Sequence, residues 1–445
     1  MTGNSERFAL RGPTLAFKAD PLAIAVGGGD PADALAFDSD GAVVIDGGRI
    51  IAAGTASTVL SAEPSLPVVT YGSAHLITAG FVDAHAHYPQ TRIIASYGKQ
   101  LIDWLNTYTF PAELAFADPE RASADAELYL DECLRNGITT ASVYCTVHEV
   151  SADAFFAAAA RRGLRMAAGK VLMDRNAPAG LTDTAQSGYD ASARLIDRWH
   201  GKDRLHYVIS PRFAPTSTPE QLEAAGALWR ANPGTLMQTH MSESRDEIAW
   251  VARLFPDAPD YLGVYERHGL AGPGANFGHC IHLSPREQAR LGETGSGISH
   301  CPTSNLFIGS GLFDLAGLAA GGHPRSPIGL ATDVGGGSSF SMFATMRAAY
   351  EIAQLRGVSL HPATAWHLAT LGSARVLRLD DRIGNLAAGY DADIVVLDLQ
   401  SRPLLAARMA QARSIADVLF AQMILADDRA IHAVYVGGRR VPLRA

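Results

Sequence analysis

Between residues 76 and 379 the chain alternates short apolar runs with longer stretches in which apolar residues recur every three or four positions. Runs of the first kind fit buried strands, and stretches of the second kind fit helices with one face on a core. Eight runs qualify as strands: LITAGFVDAHAH, GITTASVYC, RMAAGKVLM, HYVISPRF, TLMQTH, ANFGHC, GISHC and IGLATDV. Segments such as ADAELYLDECLRNG and RDEIAWVARLF supply helices between them. Strand–helix alternation predicts an α/β protein with a parallel sheet, and eight strands are the number that closes a (β/α)8 TIM barrel.

Both ends of the chain read differently. AVVIDGGRIIAAG is a strand, a tight Gly-Gly turn and a second strand, and GYDADIVVLDL and HAVYVGGRRV repeat that style near the C-terminus. Neither end alone can bury a full sheet face. The pattern therefore predicts a small β-sandwich domain formed from both chain termini, residues 1–75 with 380–445, beside the barrel of residues 76–379. SRPLLAARMAQARSIADVLFAQMILADDRA has helical apolar spacing, so one or two helices are expected between the C-terminal strands.

Composition narrows the function classes. Hydrophobic residues make up 47% and charged residues 18% of 445, which suits a large core and excludes a disordered chain. The net charge of -8, without a basic run, argues against a nucleic-acid partner. No run reaches the roughly 18 apolar residues of a membrane span, and MTGNSERFALRGPTL lacks the layout of a secretory leader. Cys133, Cys145, Cys280 and Cys301 include no CxxC pair, so a reducing cytoplasm is expected instead of a disulfide scaffold.

In a barrel, side chains at the C-terminal ends of the strands converge. In FVDAHAH, His85 and His87 are two apart, so on a strand both imidazoles share one face. His-x-His alone is a weak signal, but His240 closes the fifth strand candidate and Asp333 the eighth. Three imidazoles and one carboxylate suit a zinc-type ion and leave a position for a reacting water. Glu243, three residues after His240, can turn toward that water as a proton carrier. It can equally be part of a helix cap with Ser242 or Ser244.

These motifs resemble those of the amidohydrolase superfamily, over nearly the full chain. The resemblance matches His85 and His87 on strand one, His240 on strand five, His279 on strand six and Asp333 on strand eight. It implies that Asp333 binds the metal and takes the water proton, and that His279, preferred over the nearby His282, steadies the tetrahedral intermediate. It favours the catalytic reading of Glu243, because HxxE here marks the aminohydrolases of that superfamily. Strand four has no Lys to bridge two metals, so one ion per subunit is expected: zinc, with iron left open.

The segment of residues 88–113, with GKVLMDRNAP, SPRFAPTST and HMSES, is similar to the corresponding parts of the guanine deaminases. That resemblance implies free guanine as the small-molecule substrate, xanthine and ammonia as products, and a homodimer. Arg212 offers a fork of donors for O6, Gln90 offers a donor and an acceptor, and Phe213 a flat face for the ring. Leu101 and Trp104 are expected either as an apolar lid or as ordinary core, and Tyr97 and Phe110 as core. Lys170, Asp174 and Arg175 match the pattern without a specific role. His300 and Cys301 read as structural. The alternatives are an aminohydrolase of 8-oxoguanine, a pterin or a triazine, and a non-catalytic scaffold.

Overall fold

The computed structural model describes residues 7–97, 100–321 and 325–443. Gly98 and Lys99 of the 88–113 segment, and the first six residues of the N-terminal stretch, lie outside the described residues.

The central sheet consists of Phe81–His87, Ile138–Tyr144, Arg165–Gly169, Leu205–Pro211, Leu236–Met241, Ala275–His279, Gly297–His300 and Ile328–Leu330, neighbours in chain order. All their pairings are parallel. Such strands are covered on both faces, and the first two are buried at every position. The helices show the expected one-sided burial. Pro119–Arg135, capped by Asp118, turns Ala122, Ala126, Tyr129, Leu130 and Cys133 inward at helical spacing. The seam between the eighth and first strands is closed by two backbone bonds, Asp333 N to His85 O (2.9 Å) and His87 N to Val334 O (2.6 Å). The closure of the barrel and the placing of the candidate ligands are thus one event.

Three runs depart from the sequence reading. LITAGFVDAHAH is two strands: His75–Ala79 joins the terminal sheet, and the first barrel strand begins at Phe81. A Cβ at the intervening Gly80 would stand 2.2 Å from Thr139 Oγ1, so only glycine lets the chain cross there. RMAAGKVLM is interrupted at Lys170, with Val171–Leu172 pairing onto the fourth strand. IGLATDV pairs only over Ile328–Leu330, because the amides of Thr332 and Asp333 are taken by Asp83 Oδ1 and His85 O across the seam. Asp333 therefore lies beyond the ladder instead of closing it.

The termini meet in one mixed sheet. His75–Ala79 runs antiparallel to Ile394–Asp398 and parallel to Phe8–Phe17, joining the N-terminal strands to the C-terminal ones. Leu10, Val43, Ile45, Ile77, Ile394 and Val396 form its core. Gly47 and Gly48, both at positive φ, make the hairpin turn between Leu35–Asp46 and Arg49–Thr55. Two helices, Pro403–Met409 and Ile415–Leu425, are inserted before Ile431–Val436. This sheet braces the end of the barrel opposite the site: Arg165, at the start of the third strand, binds Asp391 (3.1 Å from Nε), and Arg204, just before the fourth, binds Asp393. Among the described residues, no helix is long and apolar enough to cross a membrane. All four cysteines are buried free thiols.

Candidate active site

His85 and His87 stand on one face of the first barrel strand, as their spacing predicts, and meet His240 and Asp333 there. One ligand atom from each lies within 4.8 Å of the others. His87 Nε2 is 3.1 Å from His240 Nε2, and Asp333 Oδ1 is 3.4 Å from both His85 Nε2 and His87 Nε2. His240 Nδ1 donates to Arg212 O (2.7 Å), which fixes the tautomer and leaves the Nε2 lone pair facing the cluster. Burial, more than the charges around them, lowers the pKa of all three imidazoles. Burial alone would raise Asp333, but the close approach of His85, with His279 and His240, holds its carboxyl down to about 2.

The donor set fits one divalent ion. Burial favours the neutral form of the three imidazoles, the carboxylate is held charged, and His85 Nε2, which faces Asp333, is buried without a hydrogen-bond partner. A second grouping replaces His87 and His240 with His279 and Cys301. Burial pushes the Cys301 thiol well up, and Sγ–H points at Ser299 O (3.4 Å), so it is a poor ligand beside three imidazoles. Lys170 cannot bridge a second ion: its ammonium is held by Asp183 and by Val171 O (3.0 Å).

Two groups give the cluster its shape. Tyr144 stacks on the His87 ring with centroids 4.5 Å apart. Gly278 leaves room for His85, because a Cβ there would stand 2.7 Å from His85 Cε1 and 2.9 Å from Nδ1. Gly278→Ala should therefore displace His85, lowering metal content well below one equivalent per chain. Activity should fall by at least about tenfold, in line with the usual cost of disturbing a ligand's support. Metal analysis of the purified variant beside an assay checks this.

Beside the cluster lies a proton-carrying pair. Glu243 is buried, accepts from Ser310 Oγ at Oε1 (2.9 Å), and places Oε2 3.5 Å from His279 Nε2. His279 Nδ1 donates to Asn305 Oδ1 (2.9 Å), aiming Nε2 at Glu243 and at Asp333 Oδ2 (3.7 Å). Burial raises the Glu243 pKa. Burial works against the His279 charge, but Glu243 and Asp333 outweigh it and raise that pKa. Glu243 is not a helix cap. Ser244 caps Arg245–Leu254 in a capping box with Glu247, which also takes the Glu243 amide. Ser242, His279 and Asp333 all have positive φ, so three strand ends bend in the strained left-handed region to aim these groups. His282 is carried away by the same bend, its Nε2 bonding Ser310 O (2.9 Å).

The cavity in front of these groups is walled by Gln90, Leu101, Trp104, Arg212 and Phe213. Arg212 is buried and paired in a salt bridge: Nη1 lies 2.9 and 2.8 Å from the two oxygens of Glu113. Gln90 Nε2 donates to Glu113 Oε1 (3.0 Å). Leu101 and Trp104 occupy one short helix and serve as cavity wall and core together.

Tyr97, expected as core, is 80% exposed, because it lies outside the helix that starts at Leu101. Phe110 is core, with its ring under the Arg212 guanidinium at 5.8 Å. Asp174 and Arg175 hold the turn that carries Phe213: Asp174 accepts from Thr218 N (2.7 Å) and Arg175 donates to Ala214 O (3.2 Å). His300 stacks on Phe313 away from the cluster. Glu113, Ser310, Asn305 and Tyr144 escaped the sequence reading. Only Glu113 left a trace there, as a lone charge in the apolar stretch of residues 105–117.

Residues 76–441 match the amidohydrolase family model. The chain is 46% identical over 410 residues to the guanine deaminase of Escherichia coli K12, covering 92% of this chain and 93% of that one. It is 31% identical over 375 residues to the human guanine deaminase, covering 81% and 82%. Among solved structures, that of E. coli guanine deaminase superposes with a TM-score of 0.94 at 44% identity, covering 98% of this chain and 100% of that one. A C. acetobutylicum guanine deaminase with guanine bound in its active site superposes with a TM-score of 0.88 at 25% identity, covering 98% and 100%.

Proposed function

The chain belongs to the amidohydrolase family, and on that premise we propose that it hydrolyses guanine to xanthine and ammonia. The observation that carries this is one cavity lined by both chemistries: His87, His240 and Asp333 of the metal quartet beside Glu243, and an Arg212–Gln90 pair facing them. Zinc is the ion the donor set suits best, one per subunit, with iron left open. We further assign the chain to the cytoplasm as a homodimer, with the first domain boundary at Gly80 instead of residue 75, because His75–Ala79 pairs into the terminal sheet, and the second at residue 380.

A bound divalent ion would make a water acidic enough to ionise near neutral pH. The chain's own groups do the rest. Arg212 donates to guanine O6, Gln90 reads the adjoining edge, and Phe213, with Leu101 and Trp104, packs on the ring. These contacts place C2 before the water. Glu243, whose pKa burial raises, delivers a proton to N3 as the water oxygen bonds to C2. Asp333 divides the work between its oxygens: Oδ1 faces His85 and His87, while Oδ2, turned toward His279, takes a water proton. His279 donates from Nε2 to the charge that develops. Glu243 then moves the remaining hydroxyl proton to the amine, the C2–N bond breaks, and ammonia leaves as the C2 carbonyl forms. The proton left on Asp333 returns to Glu243 and resets the site.

The competing heterocycles offer a direct test. Ammonia release from guanine, 8-oxoguanine and pterin should give the largest kcat/KM with guanine, by at least about tenfold, because unpaired buried donors penalise a poorly matched ring. A higher kcat/KM with either rival would move the assignment to that substrate.

A further inference from the structure

One carboxylate organises both polar groups that face the base. Glu113 is fully buried and belongs to neither the metal quartet nor the proton-carrying pair. It lies near the end of the helical segment that begins at Leu101, and its partners Gln90 and Arg212 are 23 and 99 residues away. We propose that Glu113 is the positioning residue that sets base selectivity, by fixing which hydrogens of Arg212 and Gln90 remain for the substrate. The inference rests on the guanine reading above and deepens it.

The inventory of donors carries the case. A guanidinium has five N–H groups in a rigid fork, and a carboxylate only accepts. Both Glu113 oxygens lie within 2.9 Å of Arg212 Nη1, so Nη1 is committed to the carboxylate. The hydrogens on Nε and Nη2 are left, and they suit an acceptor such as a 6-oxo group. Gln90 is set by the same carboxylate. Its Nε2 donates to Glu113 Oε1, and its Oε1 takes the Gly335 amide at 3.4 Å. Turning the amide over would set oxygen against carboxylate and N–H against N–H. The remaining Gln90 N–H and carbonyl lone pair therefore have assigned places. The Phe110 ring beneath the guanidinium fixes its plane from another side.

Charge gives the second reason. Arg212 would otherwise be an unpaired cation buried beside a site built for a cation, and such a charge is costly. Paired with Glu113, it presents directed donors with no net charge, which suits a neutral base. The same segment supplies the wall residues Leu101 and Trp104, so Glu113 also pins that wall to the fork.

Guanine and 2-aminopurine carry the same amine at C2, but the latter has only C–H at position 6. In the native chain the difference leaves two buried donors unpaired, and kcat/KM should favour guanine by about 10³-fold or more. Glu113→Gln keeps the shape but offers one acceptor oxygen and an N–H that opposes Arg212 or Gln90. Its KM for guanine should rise roughly tenfold while kcat falls less than about threefold. Its preference over 2-aminopurine should shrink roughly tenfold, with metal content unchanged. Glu113→Asp, which keeps the charge with a shorter reach, should recover part of that preference, and it provides the same reading if Glu113→Gln does not fold. An unchanged preference in both variants, or a loss that strikes both substrates equally along with the metal, would overturn the inference. Inactivity of the native chain on guanine would instead bring down the guanine reading, and this inference with it.

Discussion

Replacing Glu243 with Gln is expected to leave the metal in place and reduce turnover of guanine by about 10²–10⁴-fold, the usual contribution of a positioned proton carrier. The substitution is close to isosteric. Ser310 can still donate to the amide oxygen where it now donates to Oε1. The backbone amide of Glu243 keeps its bond to Glu247, and the Ser244 cap of the next helix does not involve the Glu243 side chain. Glu243 is absent from the ligand quartet, so no metal ligand is lost with its charge. What disappears is a group that can deliver a proton to N3 and carry another to the amine. The loss should therefore fall on kcat, with the KM for guanine changing little. Steady-state kinetics with metal analysis on the same preparation check both halves, and full activity in this variant would remove Glu243 from the reaction.

Stripping the metal is expected to abolish activity, and one equivalent of a divalent ion per chain should restore it. The quartet has no substitute within the site. Without an ion, His85 Nε2 is left as a buried nitrogen with no hydrogen-bond partner, on the strand whose backbone closes the seam with the eighth, so the effect should extend to stability. An ion held at about 1,000 times its Kd stabilises the native state by about 4 kcal/mol, and a lower Tm in chelator should report this. Titrating the stripped protein with zinc and with iron, following activity and Tm together, distinguishes the two ions. Saturation at two equivalents would contradict the single-ion site that the engaged Lys170 supports. A chain that binds no metal and stays inert would be a scaffold.

Particular residues show what was legible in the sequence. His85 and His87 were readable because a strand repeats every two residues, and a pair at that spacing must share a face. His240 and Asp333 followed from their places near the ends of apolar runs. The sequence could not show that Asp333 lies past its ladder, because the bonds that pull it out come from Asp83 and His85, far away in the chain. The choice between His279 and His282 was also conformational. Positive φ at His279 and Cys280 turns the chain so that only His279 faces the site. Glu243 was balanced between two roles until the Ser244–Glu247 box claimed the cap. Glu113, Asn305 and Ser310 act through partners between 23 and 99 residues distant, and no local pattern encodes such meetings. Tyr97 misled for a related reason: an aromatic residue reads as core unless its place outside the neighbouring helix is known.

The assay that bears most directly on the whole account gives guanine to the metal-replete native chain and follows purine absorbance and released ammonia together. The account predicts stoichiometric conversion of guanine to xanthine, with one ammonia per base, at a rate that disappears with the metal. Contradiction would be a metal-loaded, folded chain that leaves guanine intact.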